Sequence, residues 1–235
     1  HLLPLCHQTK NLYVPYIFSE EELKKIFKAA DELMFVRRNF KCGIFSIPVL
    51  LRLLYSTGMR IGEACSLINS DVDMSSRIIL VRNTKNKRDR QLPISDSLYQ
   101  VLEQYLIKRD KLPLHNMGNP NSPFLISLDG SSLTGVSARH WFYKILEASD
   151  IDYIPKVGPR IHDLRHTFAV HVLDKLVKEG VDMHCCLPVL SMALGHKCVS
   201  DTEYYVRITN QVYPHLSDTT SAISEYVFPT ISTMK

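Results

Sequence analysis

The stretch IHDLRHTFAV, residues 161–170, has the pattern of an amphipathic helix that carries charge on its apolar side. On a helix of about 3.6 residues per turn, Leu164 and Phe168 share one arc, and His162 and Arg165 fall inside that same arc. An arginine that points toward a core is costly unless an anionic group meets it there. The pattern therefore predicts a helix that presents an arginine to an anion.

The chain has the size and composition of one globular domain. It contains 235 residues, of which 45% are hydrophobic, enough to bury one core. The longest apolar run, residues 44–55, is interrupted by Pro48 and Arg52 and is too short to span a bilayer, and the first residues lack a signal-peptide pattern. We therefore expect a cytoplasmic protein with no membrane partner. Because the chain begins at His1, we expect it to be a fragment of a longer protein.

The six cysteines predict neither a disulfide framework nor a metal site. They form no C-x-x-C pair and have no regular spacing. The adjacent Cys185 and Cys186, with histidines nearby, are a poor ligand set for one ion, so small thiols on packed helices are the simpler interpretation. We expect no bound metal and no cofactor.

A basic segment, RNTKNKRDR (82–90), has five Lys or Arg among nine residues. It lies between RIILVR (77–82) and RQLPI (90–94), which read as the strands of a hairpin, with SDVD (70–73) as a third strand. Such a patch attracts phosphate backbones, but a solvated hairpin tip has the same composition. Taken alone, the segment favours neither interpretation.

Hydrophobic periodicity and capping residues predict a mainly α fold with a small antiparallel β-sheet, of α+β class. We assign residues 1–13 to a linker, 14–214 to one domain and 215–235 to a C-terminal tail. The predicted helices cover about 18–33, 46–58, 59–67, 95–110, 134–149, 162–179, 186–195 and 200–207.

Four separated stretches place polar residues where packing alone would not favour them. They contain Arg60 with Glu63, Lys85, His162 with Arg165, and the LGH that ends at His196; Tyr204 and Tyr205 follow. Cations and phenols without a carboxylate cluster suit a phosphodiester better than a magnesium ion. Each feature also has a plain structural explanation, such as an i,i+3 ion pair or a histidine at a helix end. His166 and His171 show no pattern of their own.

The order and spacing of these stretches resemble the tyrosine recombinase, or phage integrase, family. TGMRIGEA is similar to its first-arginine box, HDLRHTFA to its H-x-x-R box, TKNKRDRQLPI to its lysine hairpin, and LSMALGHKCVSDTEYY to the segment before its nucleophile. The resemblance runs from about residue 14 to residue 216. It implies the catalytic domain of a recombinase, with the family's N-terminal DNA-binding domain missing.

The resemblance also implies roles for individual residues. Arg60 and Arg165 would clamp the scissile phosphate, with Glu63 supporting them from behind. His162 would hydrogen-bond the phosphate and assist proton movement at the nucleophile, and His196 would donate a further hydrogen bond.

Two further roles concern the bonds that break and form. Tyr205 would attack phosphorus to give a 3′-phosphotyrosyl enzyme, and Lys85 would protonate the departing 5′ oxygen. Four basic residues would contact the DNA backbone: Arg82, Lys87, Arg88 and Arg90.

The partners implied by the resemblance are double-stranded DNA, a homotetramer on paired sites, and accessory DNA-bending or directionality factors. The tail segment 213–228 has an apolar side that either reaches a neighbouring protomer or packs on its own domain. Two other functions remain open: a type IB topoisomerase-like relaxase with the same chemistry, and a DNA-binding module that has lost catalysis.

Overall fold

The computed structural model describes residues 14–33, 43–82, 89–154 and 157–213. Over these residues the chain forms eight α-helices and one three-stranded antiparallel sheet, which confirms the predicted fold class. The predicted linker and tail lie outside the described ranges. The helices are α1 (Glu20–Asp31), α2 (Ile47–Thr57), α3 (Ile61–Cys65), α4 (Asp96–Arg109), α5 (Gly135–Ala148), α6 (Asp163–Lys178), α7 (Met183–Leu194) and α8 (Ser200–Val212). The strands are β1 (Val72–Asp73), β2 (Ile78–Val81) and β3 (Arg90–Pro93).

The sheet is a short antiparallel meander with β2 in the centre. Ile79 of β2 pairs with Val72 of β1 and with Leu92 of β3. Ile79 and Leu92 are both buried, as expected for strands whose alternate residues face a core. The predicted hairpin and its third strand are thus confirmed.

Two groups of buried side chains fill the interior. The larger group joins α1 to α5, the sheet and the start of α6, and includes Phe18 packed edge-on against Phe142. The smaller group is formed by the rest of α6 with α7 and α8. Helix α6 belongs to both, because Leu164 lies in the first group and Ala169 in the second. Arg165, which lies between these two residues, is therefore at the junction of the two cores.

Helices α2 and α7 both end at a glycine in the left-handed conformation, Gly58 with φ +64° and Gly195 with φ +66°. A Cβ on Gly58 would lie 2.4 Å from the ring of Phe168, and one on Gly195 would lie 2.8 Å from Nη1 of Arg90. Both positions thus require glycine for conformation and for space. The two turns lie beside the junction of the cores.

Two helices differ from their predicted bounds by three residues or more at one end. Helix α7 begins at Met183, three residues before the predicted start, and the Asp182 carboxylate accepts a hydrogen bond from the backbone N–H of Cys185 at 3.3 Å. Helix α8 continues to Val212, because Tyr205 and Thr209 extend a buried face against α6. Within the described ranges, none of the helices has both the length and the apolarity needed to cross a bilayer.

Candidate active site

Arg165 lies at the centre of the candidate site, on the first turn of α6 and only 2% exposed. Its Nη1 donates to the carbonyl of Gly58 at 2.7 Å, and its Nη2 donates to the carbonyl of Leu194 at 2.7 Å. Both acceptors lie at helix C-terminal ends, where carbonyl groups carry partial negative charge. Two backbone carbonyls of the protein therefore supply part of the negative charge that the sequence predicted for a ligand. A guanidinium has five N–H donors, so these two bonds leave donors for a ligand.

The charge of Arg165 is preserved despite its position. Burial, with the nearby charge of Arg60 acting in the same direction, lowers its pKa from 12.5 to about 10. A pKa of about 10 leaves the guanidinium protonated at neutral pH. The site therefore keeps a buried positive charge that donates hydrogen bonds to two backbone carbonyls.

Glu63 lies between two arginines at the start of α3. Its Oε2 accepts from the backbone N–H of Arg60 at 2.9 Å and from Nη2 of Arg90 at 2.6 Å. Its Oε1 accepts from the guanidinium groups of the same two residues at 3.1 Å each. Burial alone would raise the pKa of Glu63, but the hydrogen bonds from Arg90 and Arg60 bring it below its ordinary value. The i,i+3 pair of Arg60 and Glu63 exists, but it is part of a larger network.

Arg90, a predicted DNA contact, is hydrogen-bonded within the protein. Only 9% of its side chain is exposed, and its Nε donates to the carbonyl of Ala193 at 2.8 Å in addition to the two bonds with Glu63. Its guanidinium thus makes three hydrogen bonds within the protein, two with Glu63 and one with Ala193, and the expected contact with DNA phosphate stays a prediction. Arg90 links the base of the hairpin to Glu63 and to the last turn of α7.

The other predicted DNA contacts are in the same hairpin. Arg82 forms an ion pair with the buried Asp71 at 2.7 Å, yet 44% of its side chain is exposed, so a DNA backbone can still reach it. Lys85, Lys87 and Arg88 lie outside the described residues. Their roles remain predictions.

Tyr205 is buried on α8, with 3% of its surface exposed. Its hydroxyl forms a hydrogen bond with Nδ1 of His166 at 3.0 Å, and its ring stacks parallel to that of His196, with centroids 6.1 Å apart. Burial raises the pKa of Tyr205, while the charge of Arg165 and a hydrogen bond from it act in the opposite direction. Tyr204 is only half-buried and packs against the Tyr205 ring. Tyr205 is thus the tyrosine that faces the arginines.

Two predicted histidines flank this tyrosine in different ways. His196 is half-buried, and its Nδ1 is 2.8 Å from the hydroxyl of Thr202. Burial, reinforced by the charge of Arg165, lowers the pKa of His196 to about 4, so its ring is neutral at pH 7. His162 is exposed at the start of α6, and its ring meets that of His166 edge-on at 4.9 Å.

His166 is the site residue for which the sequence offered no motif. Its position does offer a signal, because it lies four residues after His162 and residues so spaced share one helix face. His166 therefore lies one helical turn after His162 on the same face of the helix. Recognising that the second position mattered required the location of α8.

The described residues thus bring Arg60, Glu63, Arg165, His196 and Tyr205 together from separate segments of the chain. The phage integrase family profile matches residues 17–211. The chain belongs to the phage integrase family. The sequence expectation of a tyrosine recombinase-like domain is therefore confirmed at the level of family and fold.

Relatives of known name support this membership. The chain is 31% identical over 194 residues to a "Putative integrase/recombinase y4rB" of Sinorhizobium fredii, covering 82% of this chain and 61% of the relative. It is 30% identical over 207 residues to the "Tyrosine recombinase XerC" of Staphylococcus haemolyticus, covering 88% of this chain and 62% of the relative. The chain therefore spans about three fifths of the length of these relatives.

Solved structures share the fold. The XerA recombinase structure has a TM-score of 0.62 at 24% identity and covers 88% of this chain and 67% of that one. A XerH site-specific recombinase bound to its palindromic difH substrate, a post-cleavage complex, has a TM-score of 0.64 at 23% identity, covering 90% of this chain and 54% of that one.

Proposed function

We propose that this chain is the catalytic part of a site-specific DNA recombinase. The observation that carries the proposal is the convergence of two arginines on a single buried tyrosine: the charges of Arg165 and Arg60 both act on the pKa of Tyr205. A phenol surrounded by fixed cations suits attack on a phosphodiester, since cations stabilise charge that develops on the phosphate oxygens. The names of the relatives favour recombination over simple relaxation of supercoils.

The scissile phosphate would bind to Arg60 and Arg165. Arg60 has 29% of its side chain exposed, so a ligand can approach it from solvent. Arg165 keeps donors beyond the two that bind carbonyls. Glu63 would hold Arg60 in place through its carboxylate, and His162 and His196 would add hydrogen bonds at the edge of the phosphate.

Strand cleavage would proceed by transesterification. The bond from Tyr205 Oη to phosphorus forms as the phenol gives its proton to a histidine of the site and the bond from phosphorus to the 5′ oxygen breaks. The departing oxygen takes a proton from Lys85. The product is a 3′-phosphotyrosyl ester and a free 5′ hydroxyl. Because the ester retains the energy of the broken bond, attack by another 5′ hydroxyl can reseal DNA without ATP.

Strand exchange needs more than one active site. We expect four copies to assemble on two duplexes, with the predicted tail, residues 215–235, reaching a neighbouring protomer and with accessory DNA-bending or directionality factors. The relatives' structures include a lambda integrase dimer on a core site and XerH on difH DNA, which supports double-stranded DNA as the partner.

The decisive experiment measures products with the full-length protein. Duplexes cleaved by the wild type are first selected from a randomised pool by denaturing capture of covalent complexes. Two selected duplexes with different labels are then incubated together. A recombinase yields DNA that carries both labels; a relaxase yields covalent complexes and resealed parental duplexes only, and a binding module yields no covalent complex.

A further inference from the structure

His166 contacts the atom that would react. Its Nδ1 is 3.0 Å from the Tyr205 hydroxyl, and the two rings are tilted by 44° with centroids 5.6 Å apart. This is a hydrogen-bond distance between a nitrogen base and a phenol.

We infer that His166 accepts the proton of Tyr205 when the tyrosine attacks the scissile phosphate. This inference rests on the proposed function above. In the step, the Oη–phosphorus bond forms, the phosphorus–5′ oxygen bond breaks, and the phenol proton passes to Nδ1 of His166. The departing 5′ oxygen takes its proton from the separate acid, and the imidazolium returns its proton to the phenol oxygen when the strand is resealed.

The other groups around the hydroxyl are less suited to this role. Arg165 is a cation with no acceptor atom. The Nδ1 of His196 forms a hydrogen bond with the hydroxyl of Thr202, and the His196 ring packs parallel to the Tyr205 ring. The ring of His162, at the start of α6, meets the ring of His166 edge-on.

The charge state of His166 is consistent with an acceptor. Burial and, to a smaller extent, the charges of His162, Arg165 and His196 lower its pKa to about 3, so the ring is neutral at pH 7. A neutral ring protonated at Nε2 presents a lone pair at Nδ1. A bound phosphate would place negative charge beside these same groups, and that charge raises the pKa of a nearby histidine. The base would therefore gain strength when substrate is present.

Two asparagine variants test the role. In His166→Asn, the amide oxygen lies near the former Nδ1 position, so it can still accept a hydrogen bond but cannot take the proton. His171→Asn is the matched control, because the Nδ1 of His171 on the same helix is also 3.0 Å from a tyrosine hydroxyl, that of Tyr55 in α2. Single-turnover cleavage is measured from pH 6 to pH 9 with full-length protein and a selected duplex nicked beside the cleavage site.

We expect His166→Asn to slow cleavage at pH 7 by about 10²-fold, within the range for loss of a general base. Its rate should rise in proportion to hydroxide up to pH 9, because the phenol must then ionise without help. His171→Asn should cleave at the wild-type rate with the wild-type pH profile.

Three outcomes would overturn the inference. One is cleavage by His166→Asn at the wild-type rate with an unchanged pH profile, which would leave His166 with an orienting role only. Another is an equal loss in both asparagine variants, which would mark the effect as one of helix stability. If the wild type forms no covalent complex at all, the proposed function fails first and the inference falls with it.

Discussion

The candidate site has two sides that are built from different interactions. The arginine side, formed by Arg60, Glu63 and Arg90, is a network of ion pairs with distances of 2.6 to 3.1 Å. The tyrosine side, formed by His166, His196 and Tyr205, consists of rings that are neutral at pH 7.

Arg165 joins the two sides through backbone carbonyls. The fold thus keeps the ion pairs of Arg60, Glu63 and Arg90 apart from the neutral rings around Tyr205. On the arginine side Arg90 and Arg60 share the carboxylate of Glu63, so we expect Arg90 to hold Glu63 in place. Arg165 has carbonyl partners, so its full charge remains available to a phosphate. The variants below separate these roles.

The largest effect is expected on the tyrosine side. Tyr205→Phe removes the hydroxyl that would attack, so no covalent complex should form on a selected, nicked duplex, while DNA binding is retained. Tyr204→Phe is the matched control and should form the complex normally, since Tyr204 is only half-buried and Tyr205 is the tyrosine close to Arg165. Denaturing gel electrophoresis measures both. Covalent trapping by Tyr205→Phe, or its loss in Tyr204→Phe, would exchange the two assignments.

The next effect is expected at the junction. Arg165→Lys keeps the charge but cannot bond both carbonyls and a phosphate in the same planar geometry. We expect cleavage to fall by about 10²- to 10³-fold, as for loss of a positioned donor to developing charge. A carbonyl left without a donor costs about 1–3 kcal/mol of folding free energy, which urea unfolding measures.

Arg77→Lys serves as its control, because the ion pair of Arg77 with Asp96 is largely exposed. This variant should change the free energy of unfolding by about 1 kcal/mol at most. If Arg165→Lys and Arg77→Lys changed the free energy of unfolding equally, the hydrogen bonds from Arg165 to the two carbonyls would not stabilise the fold.

On the arginine side, Glu63→Gln removes the carboxylate between two guanidinium groups. Breaking a buried ion pair costs about 3–5 kcal/mol at neutral pH. Because the folded-state pKa of Glu63 lies below its ordinary value of 4.5, its contribution is present above pH 4.5 and is lost as the pH falls through the folded pKa. The difference in unfolding free energy between wild type and variant should therefore shrink below about pH 4.5.

Urea titrations at pH 7 and pH 4 test this, with the exposed helix residue Glu103 as control. Glu103→Gln should stay within about 0.5 kcal/mol of wild type at both values. If Glu63→Gln lowers the free energy of unfolding equally at both pH values, the stabilisation by Glu63 comes from its packing and not from its charge.

The sequence predicted more of the fold than of the site. The period of apolar residues and the capping at Ser19 and Gly58 placed the helices, because those signals are local. The partners of Arg165 and Arg90 were not predictable, since they are backbone carbonyls and a carboxylate brought near by α7 and α3. A basic residue in a polar segment looks the same in a sequence whether it faces solvent or a buried acid.

The smallest effect is expected in the salt dependence of DNA binding, which should differ between variants of two arginines in the same hairpin. Arg82→Met removes a charge that is still 44% exposed, so the slope of log affinity against log salt should fall by about 0.9, the value for one phosphate contact. Arg90→Met removes a charge that is buried and hydrogen-bonded to Glu63 and Ala193, so the slope should not change, although binding can weaken at every salt concentration. Fluorescence anisotropy with a labelled random-sequence duplex between 50 and 200 mM salt measures the slope, and circular dichroism verifies that both variants are folded. Equal drops in slope would contradict this expectation. They would mean that Arg90 breaks its ion pair with Glu63 and contacts a DNA phosphate, so that the arginine side rearranges when DNA binds.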